Sequence, residues 1–95
     1  MNLYIVSYDI TDDGRRTEVF KYMRRWGDHL QYSVFRCELS PKDRAEMIGE
    51  LRERINAETD QILIFDLGPS DGRARESVLS LGQAYTHPER HAIVV

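Results

Sequence analysis

The segment Leu3-Tyr4-Ile5-Val6-Ser7-Tyr8-Asp9-Ile10 constrains this chain more than any other. Residues of high β-propensity run without a break into an acid. Alternation along a strand over 2–9 puts Leu3, Ile5 and Ser7 on one face and Tyr4, Val6 and Tyr8 on the other. Both faces are largely apolar. Such a strand must be covered by helices on one side and by something else on the other. An aspartate at the strand's end is under no such constraint and can point its carboxylate out of the sheet. Thr11-Asp12-Asp13-Gly14 and Arg15-Arg16 come next, so the local order is strand, acidic turn, basic helix start.

Residues 12–26 read as a helix. Val19, Phe20, Met23 and Trp26 recur at three- and four-residue spacing as one apolar stripe. Thr11, Asp12 or Asp13 supplies the cap, and Gly27 is the expected stop. Five cations (Arg15, Arg16, Lys21, Arg24, Arg25) stand against three acids (Asp12, Asp13, Glu18) on this segment. Residues 29–39 are strand-like but long for one strand, whose usual length is about 5–6 residues. They read as two short strands or one bent near Ser33. Ser40-Pro41-Lys42-Asp43 is a helix start with a serine cap, a proline in the first turn and an acid three residues on. Met47, Ile48, Leu51 and Ile55 form the stripe of a helix over 41–57. Ile62-Leu63-Ile64-Phe65 centres a strand over 60–67 that looks apolar on both faces, broken by Gly68-Pro69-Ser70-Asp71-Gly72. A short strand is expected over 76–81, a polar loop over 83–90, and a β-like tail at Ala92-Ile93-Val94-Val95.

The order β-α-β-β-α-β is a split βαβ arrangement, so the expected class is α+β. The fold is a ferredoxin-like sandwich with two helices on one face of an antiparallel sheet and an extra C-terminal β segment. Ninety-five residues make one domain, 1–95. Its 41% apolar and 31% charged residues give a modest core and a heavily charged surface. A twofold dimer that stacks sheet on sheet would cover the bare face, and the apolar tail would add to an edge of the partner's sheet.

The net charge of -3 speaks against a protein wrapped in nucleic acid but leaves room for a local basic face. The single cysteine, Cys37, has no internal disulfide partner, which fits a reducing cytoplasm. No signal-peptide pattern or membrane-length apolar run is seen, so the expectation is a soluble cytoplasmic chain without membrane partners.

Asp9 is the first candidate for chemistry. In a stacked dimer two copies would approach, and close carboxylates repel unless a proton or cation lies between them. Mg²⁺ takes oxygen ligands, binds through one or two carboxylates and keeps its waters, and a metal ion of this kind activates water towards a phosphodiester. The plainer role for Asp9 is capping the following turn. Tyr8 and Phe35 can stack on a base beside a basic patch, although packing is the commoner role of a strand aromatic. The basic helix face can hold phosphates, or simply be solvated. His29, His87 and His91 lack zinc-ligand spacing, Ser33 and Cys37 have no adjacent base, and Gly68 and Gly72 lack a phosphate-loop context.

Tyr8-Asp9-Ile10, the arginine pair Arg15-Arg16 opening a helix that ends at Gly27, Gln31-Tyr32-Ser33-Val34-Phe35 and Cys37-Glu38-Leu39 together resemble the CRISPR-associated protein 2 family. The resemblance covers essentially the whole chain. It implies a ferredoxin-like homodimer with C-terminal strands crossing to the partner. It also implies a small subunit of the spacer-adaptation machinery that bridges dimers of the integrase subunit and lies along duplex DNA. Several members are described as Mg²⁺-dependent nucleases on single-stranded RNA or double-stranded DNA. The resemblance makes Asp9 the metal ligand and catalytic residue, with Tyr8 beside it, and Arg16 and Phe35 as nucleic-acid contacts; Arg15 joins them as a phosphate-positioning candidate. Two positions depart from the pattern of some members: His29 stands where they carry a basic residue and Glu18 where they carry a second arginine. Both weaken the positive field beside Asp9. Two readings stay open, a metal-dependent endonuclease and a non-catalytic DNA-binding scaffold, with a small-ligand regulatory domain as a third.

Overall fold

A computed structural model of the chain describes residues 1–83. The elements run β1 (Asn2–Asp9), α1 (Asp13–Met23), β2 (Gly27–Gln31), β3 (Val34–Leu39), α2 (Pro41–Arg54), β4 (Gln61–Pro69) and a 3-10 turn (Arg73–Glu76). The four strands form one sheet in the order β2-β3-β1-β4, with every neighbouring pair antiparallel. This is the expected ferredoxin-like α+β sandwich. The β-like tail at 92–95 and the polar loop beyond Gln83 lie outside the described residues.

One sheet face and the two helices make the core. Tyr4, Val6 and Tyr8 of β1 and Phe35, Cys37 and Leu39 of β3 meet Val19, Tyr22 and Met23 of α1 and Met47 and Leu51 of α2. Period two on the strands and three to four on the helices bring these residues to one layer. Both helix starts follow the capping chemistry of the sequence. The Asp12 carboxylate accepts from the Arg15 backbone N–H at 2.8 Å, and Ser40 Oγ accepts from the Asp43 N–H at 3.1 Å.

The opposite sheet face is uneven. On β1, Leu3 is buried while Ile5 and Ser7 are half-buried. On β4, expected to be apolar and buried on both sides, Leu63 is 44% and Phe65 49% exposed. These two pair with Ser7 and Ile5, so one outward row carries Ile5, Ser7, Asp9, Leu63 and Phe65.

Several boundaries differ from the sequence expectation for physical reasons. The first helix ends at Met23, and single turn-like bonds at Arg25 and Trp26 carry the chain into β2. Gly27 is no helix stop. It is the first residue of β2, where a Cβ would lie 2.3 Å from the Arg36 carbonyl oxygen and 2.6 Å from Cys37 Sγ. Only glycine permits that strand approach. The second helix ends at Arg54, three residues short of 57. The 29–39 segment is two strands joined at Tyr32-Ser33, and Tyr32 has φ 26. Gly68-Pro69 does not break β4. A register shift opposite Asn2–Tyr4 absorbs an extra residue, Gly68 takes φ 92, and Pro69 pairs with Asn2 on an edge strand where its missing N–H is tolerated. The short strand expected over 76–81 is absent: the 3-10 turn ends at Glu76 and residues 77–81 form no strand.

Candidate functional site

β1 delivers Asp9 to the end of the sheet, exposed, on the outward row and opposite Gln61 of β4. Among the described residues its carboxylate has neither a hydrogen bond nor an ion pair. It does not cap the following helix, because Asp12 does that. A carboxylate at a strand end with no donor turned towards it keeps both oxygens for an incoming cation.

Tyr8 faces the other way. Its side chain is buried among the helices, and its ring stacks on Phe35 at a centroid distance of 6.3 Å. Burial pushes the Tyr8 phenol up from its usual value, and the charge of Arg16 pulls it partly back. It is therefore a neutral hydroxyl at neutral pH. Phe35 is 0% exposed and lies in the aromatic group formed with Phe20 and His29. A ring so enclosed packs the core and has no face to offer a base.

The two neighbouring arginines divide their work. Arg15 reaches across to Asp60: Nε donates to Oδ2 at 2.8 Å and Nη2 to Oδ1 at 3.2 Å. The Asp60 side chain is fully buried and also accepts from the Asn56 N–H at 2.9 Å, Thr59 Oγ1 at 3.2 Å and the Thr11 N–H at 3.4 Å. The Arg15 fork and these donors hold the Asp60 carboxyl well below the usual carboxylate range. Arg15 thus clamps the start of α1 to the start of β4, and its guanidinium is committed to that pair. Arg16 keeps a freer position. Its Nη1 donates to the Ile10 carbonyl at 3.0 Å, its Nη2 pairs with Asp13, and its side chain is about half exposed.

Arg16 also borders a pocket of about 340 Å³ lined by Tyr8, Arg16, Thr17, Phe20, Tyr32 and Ser33. The structure therefore brings Tyr8 and Arg16 together on the helix side of the strand end and leaves Asp9 on the other side. It brings neither Arg15 nor Phe35 into that opening. Among the described residues no group of three His, Cys, Asp or Glu side chains is placed to hold a metal ion. The oxygen ligand this strand end offers is the single carboxylate of Asp9, and Mg²⁺ is a cation that binds through one or two carboxylates and retains water.

The model of the family described as CRISPR associated protein Cas2 matches residues 1–74. The chain belongs to the Cas2 family. Among its relatives is a protein from Rhodospirillum rubrum named CRISPR-associated endoribonuclease Cas2 1. The two are 41% identical over 92 residues, spanning 97% of this chain and 89% of that one. A CRISPR-associated endoribonuclease Cas2 from Geobacter sulfurreducens is 38% identical over 94 residues, covering 99% and 98%. The crystal structure of Streptococcus pyogenes Cas2 superposes with a TM-score of 0.72 at 28% identity, covering 84% of this chain and 99% of that one. Within this Cas2 fold, the sequence reading missed two residues that shape the site. Asp60 lies 45 residues from its partner Arg15, and no local pattern marks the pair. Tyr32 stood in the motif but was not singled out, though a tyrosine in a hairpin turn without Gly or Asn was a usable signal. No helix of the described residues is long and apolar enough to cross a membrane.

Proposed function

We propose that this chain is a metal-dependent endonuclease subunit of CRISPR adaptation, working as a homodimer in the cytoplasm. The observation that carries the reading is Asp9, an exposed carboxylate without a donor among the described residues, on the same outward row as Leu63 and Phe65. A second copy covering that apolar row would bring two Asp9 side chains towards one axis, where a divalent cation relieves their repulsion. Endoribonuclease names among the relatives support hydrolysis of a phosphodiester; the substrate we propose is single-stranded RNA or double-stranded DNA.

In this reading Asp9 would hold Mg²⁺, which when bound supplies Lewis-acid chemistry at a phosphodiester. Arg16 offers its exposed guanidinium edge to a phosphate. The neutral Tyr8 hydroxyl lies near that guanidinium and can donate but not repel an anion. Arg15 acts indirectly, by fixing the turn from which Arg16 projects.

Cleavage of labelled single-stranded RNA and duplex DNA tests the proposal, with wild-type and Asp9→Asn protein, in Mg²⁺ and in chelator. Metal-dependent cutting that disappears in the variant supports it; equal traces of cutting in both proteins remove it. The dimer is tested separately by sedimentation. Leu63→Lys combined with Phe65→Lys is expected to yield monomers where the wild type sediments as a dimer.

A second reading rests on a different observation, the exposed Lys21, Arg24 and Arg25 at the C-terminal half of α1 and beyond it. Such a face holds a duplex backbone without reading sequence. The protein would then be a non-catalytic scaffold bridging dimers of the integrase subunit. Salt-sensitive duplex binding that survives Asp9→Asn, without cutting, would favour it.

A further inference from the structure

Tyr32 is the one non-glycine residue with positive φ among the described residues. A bulky side chain at positive φ is strained, and such strain persists only where the surroundings impose it. Here they do. The Tyr32 carbonyl accepts from His29 Nε2 at 2.6 Å, and since a carbonyl only accepts, that nitrogen carries the proton. The next carbonyl, of Ser33, accepts from the Tyr8 N–H at 3.1 Å, tying the turn to the end of β1. His29 is itself held edge-on by Phe20 at 4.9 Å. The backbone of the turn is thus pinned on both sides, while Tyr32 is 93% exposed and its ring stacks on no other ring among the described residues.

Tyr32 contributes to the lining of the 340 Å³ pocket, with Phe20 and Tyr8 among its apolar residues and Arg16 among its polar ones. Ligand sites begin at about 300 Å³, so the opening has room for one planar ring and little more. An exposed aromatic residue and a half-exposed guanidinium bordering one opening match a base attached to a phosphate. Bases in a duplex are stacked and paired, so only an unpaired strand can present a free face to such a platform.

We infer that the β2–β3 hairpin tip is a nucleotide-binding subsite for single-stranded nucleic acid, with an unstacked base on the Tyr32 ring and its phosphate on Arg16. The inference deepens the nucleic-acid reading above and rests on it. It narrows the substrate class to strands with unpaired bases, and it adds Tyr32 as a binding residue. Asp9 directly follows Tyr8, so the subsite and the free carboxylate share one strand end.

The test is fluorescence anisotropy in chelator, so that cutting plays no part. The probes are a short labelled oligonucleotide as a single strand, in RNA and DNA form, and the matching DNA duplex. Tyr32→Asn removes the ring while suiting the left-handed backbone, so its melting temperature is expected to equal or exceed that of the wild type. It should weaken single-strand binding about tenfold, in line with the loss of one base–aromatic stack, and leave duplex binding within about twofold. Tyr32→Trp keeps a stacking face and should retain the wild-type affinity. Single-strand binding unchanged in Tyr32→Asn overturns the inference, as does an equal loss on strand and duplex, or a Tyr32→Trp affinity as weak as that of Tyr32→Asn. A protein that shows the Tyr32 dependence but never cuts would remove the nuclease reading and leave this one standing.

Discussion

Asp9 and Asp60 sit at the same end of the sheet, one closing β1 and the other preceding β4, and Asp9 pairs in register with Gln61. Their surroundings are opposites. Asp60 is fully buried in its side chain and gathers five hydrogen bonds, two of them from Arg15. Asp9 is exposed and gathers none among the described residues. A buried carboxylate is tolerable only when its oxygens are satisfied, and the Arg15 fork, Thr59 and the Asn56 and Thr11 backbone are turned towards Asp60. The exposed one is left for a ligand from outside. The contrast separates an acid that builds the strand end from an acid that can act there.

The sharpest way to break this contrast is Asp9→Asn. Metal-dependent cleavage is expected to fall on the order of a hundredfold or more, the scale of losing several kcal/mol of charge stabilisation. The melting temperature should stay at the wild-type value; a large drop would make Asp9 a structural acid like Asp60. Asp60→Asn should do the reverse, lowering the melting temperature more than any other substitution named here while cleavage per folded molecule persists. Its pH signature has a definite sign. The Asp60 carboxyl is depressed in the fold by Arg15 first and the backbone donors next, so its stabilisation is present above the ordinary aspartate value of about 3.9 and is lost as pH falls below it. Urea melts across the acid range should show that decline in the wild type and a flatter one in Asp60→Asn.

Arg15→Lys sharpens the comparison at smaller amplitude. A lysine makes a point contact where the guanidinium makes a fork, so the melting temperature should fall by less than in Asp60→Asn but measurably. The smallest effect belongs to Asp12, the acid that caps α1. Asp12→Ala removes the cap of α1 and should cost about 1 kcal/mol, read from denaturant melts, without changing cleavage.

What the sequence disclosed follows a physical line. Local rules were enough wherever the cause was local. The cap and proline at Ser40-Pro41 start α2 at Pro41, and the alternation of β1 puts Tyr4, Val6 and Tyr8 on the core face. The strand-to-acid transition placed Asp9 at an exposed strand end. Non-local causes left no local mark. Arg15 read as a phosphate binder because its partner lies in another loop, and Phe35 read as a base contact although strand alternation turns it inward. Gly27 looked like a helix stop because the clash it avoids is with β3. Residues 76–81 had apolar composition for a strand, but no strand pairs with them in the described structure.

The Arg15–Asp60 fork has a consequence in time as well as in strength. It closes a separation of 45 residues and joins the first turn of α1 to the loop that precedes β4. Most of α1, the β2–β3 hairpin and α2 lie between, so the fork is complete only after β4 has docked on β1. An interaction made late on the folding path leaves the folding rate nearly alone and governs the rate of unfolding. Asp60→Asn should therefore shift the unfolding limb of the chevron and spare the refolding limb. The fork would then act as a latch, setting how long a folded molecule stays folded.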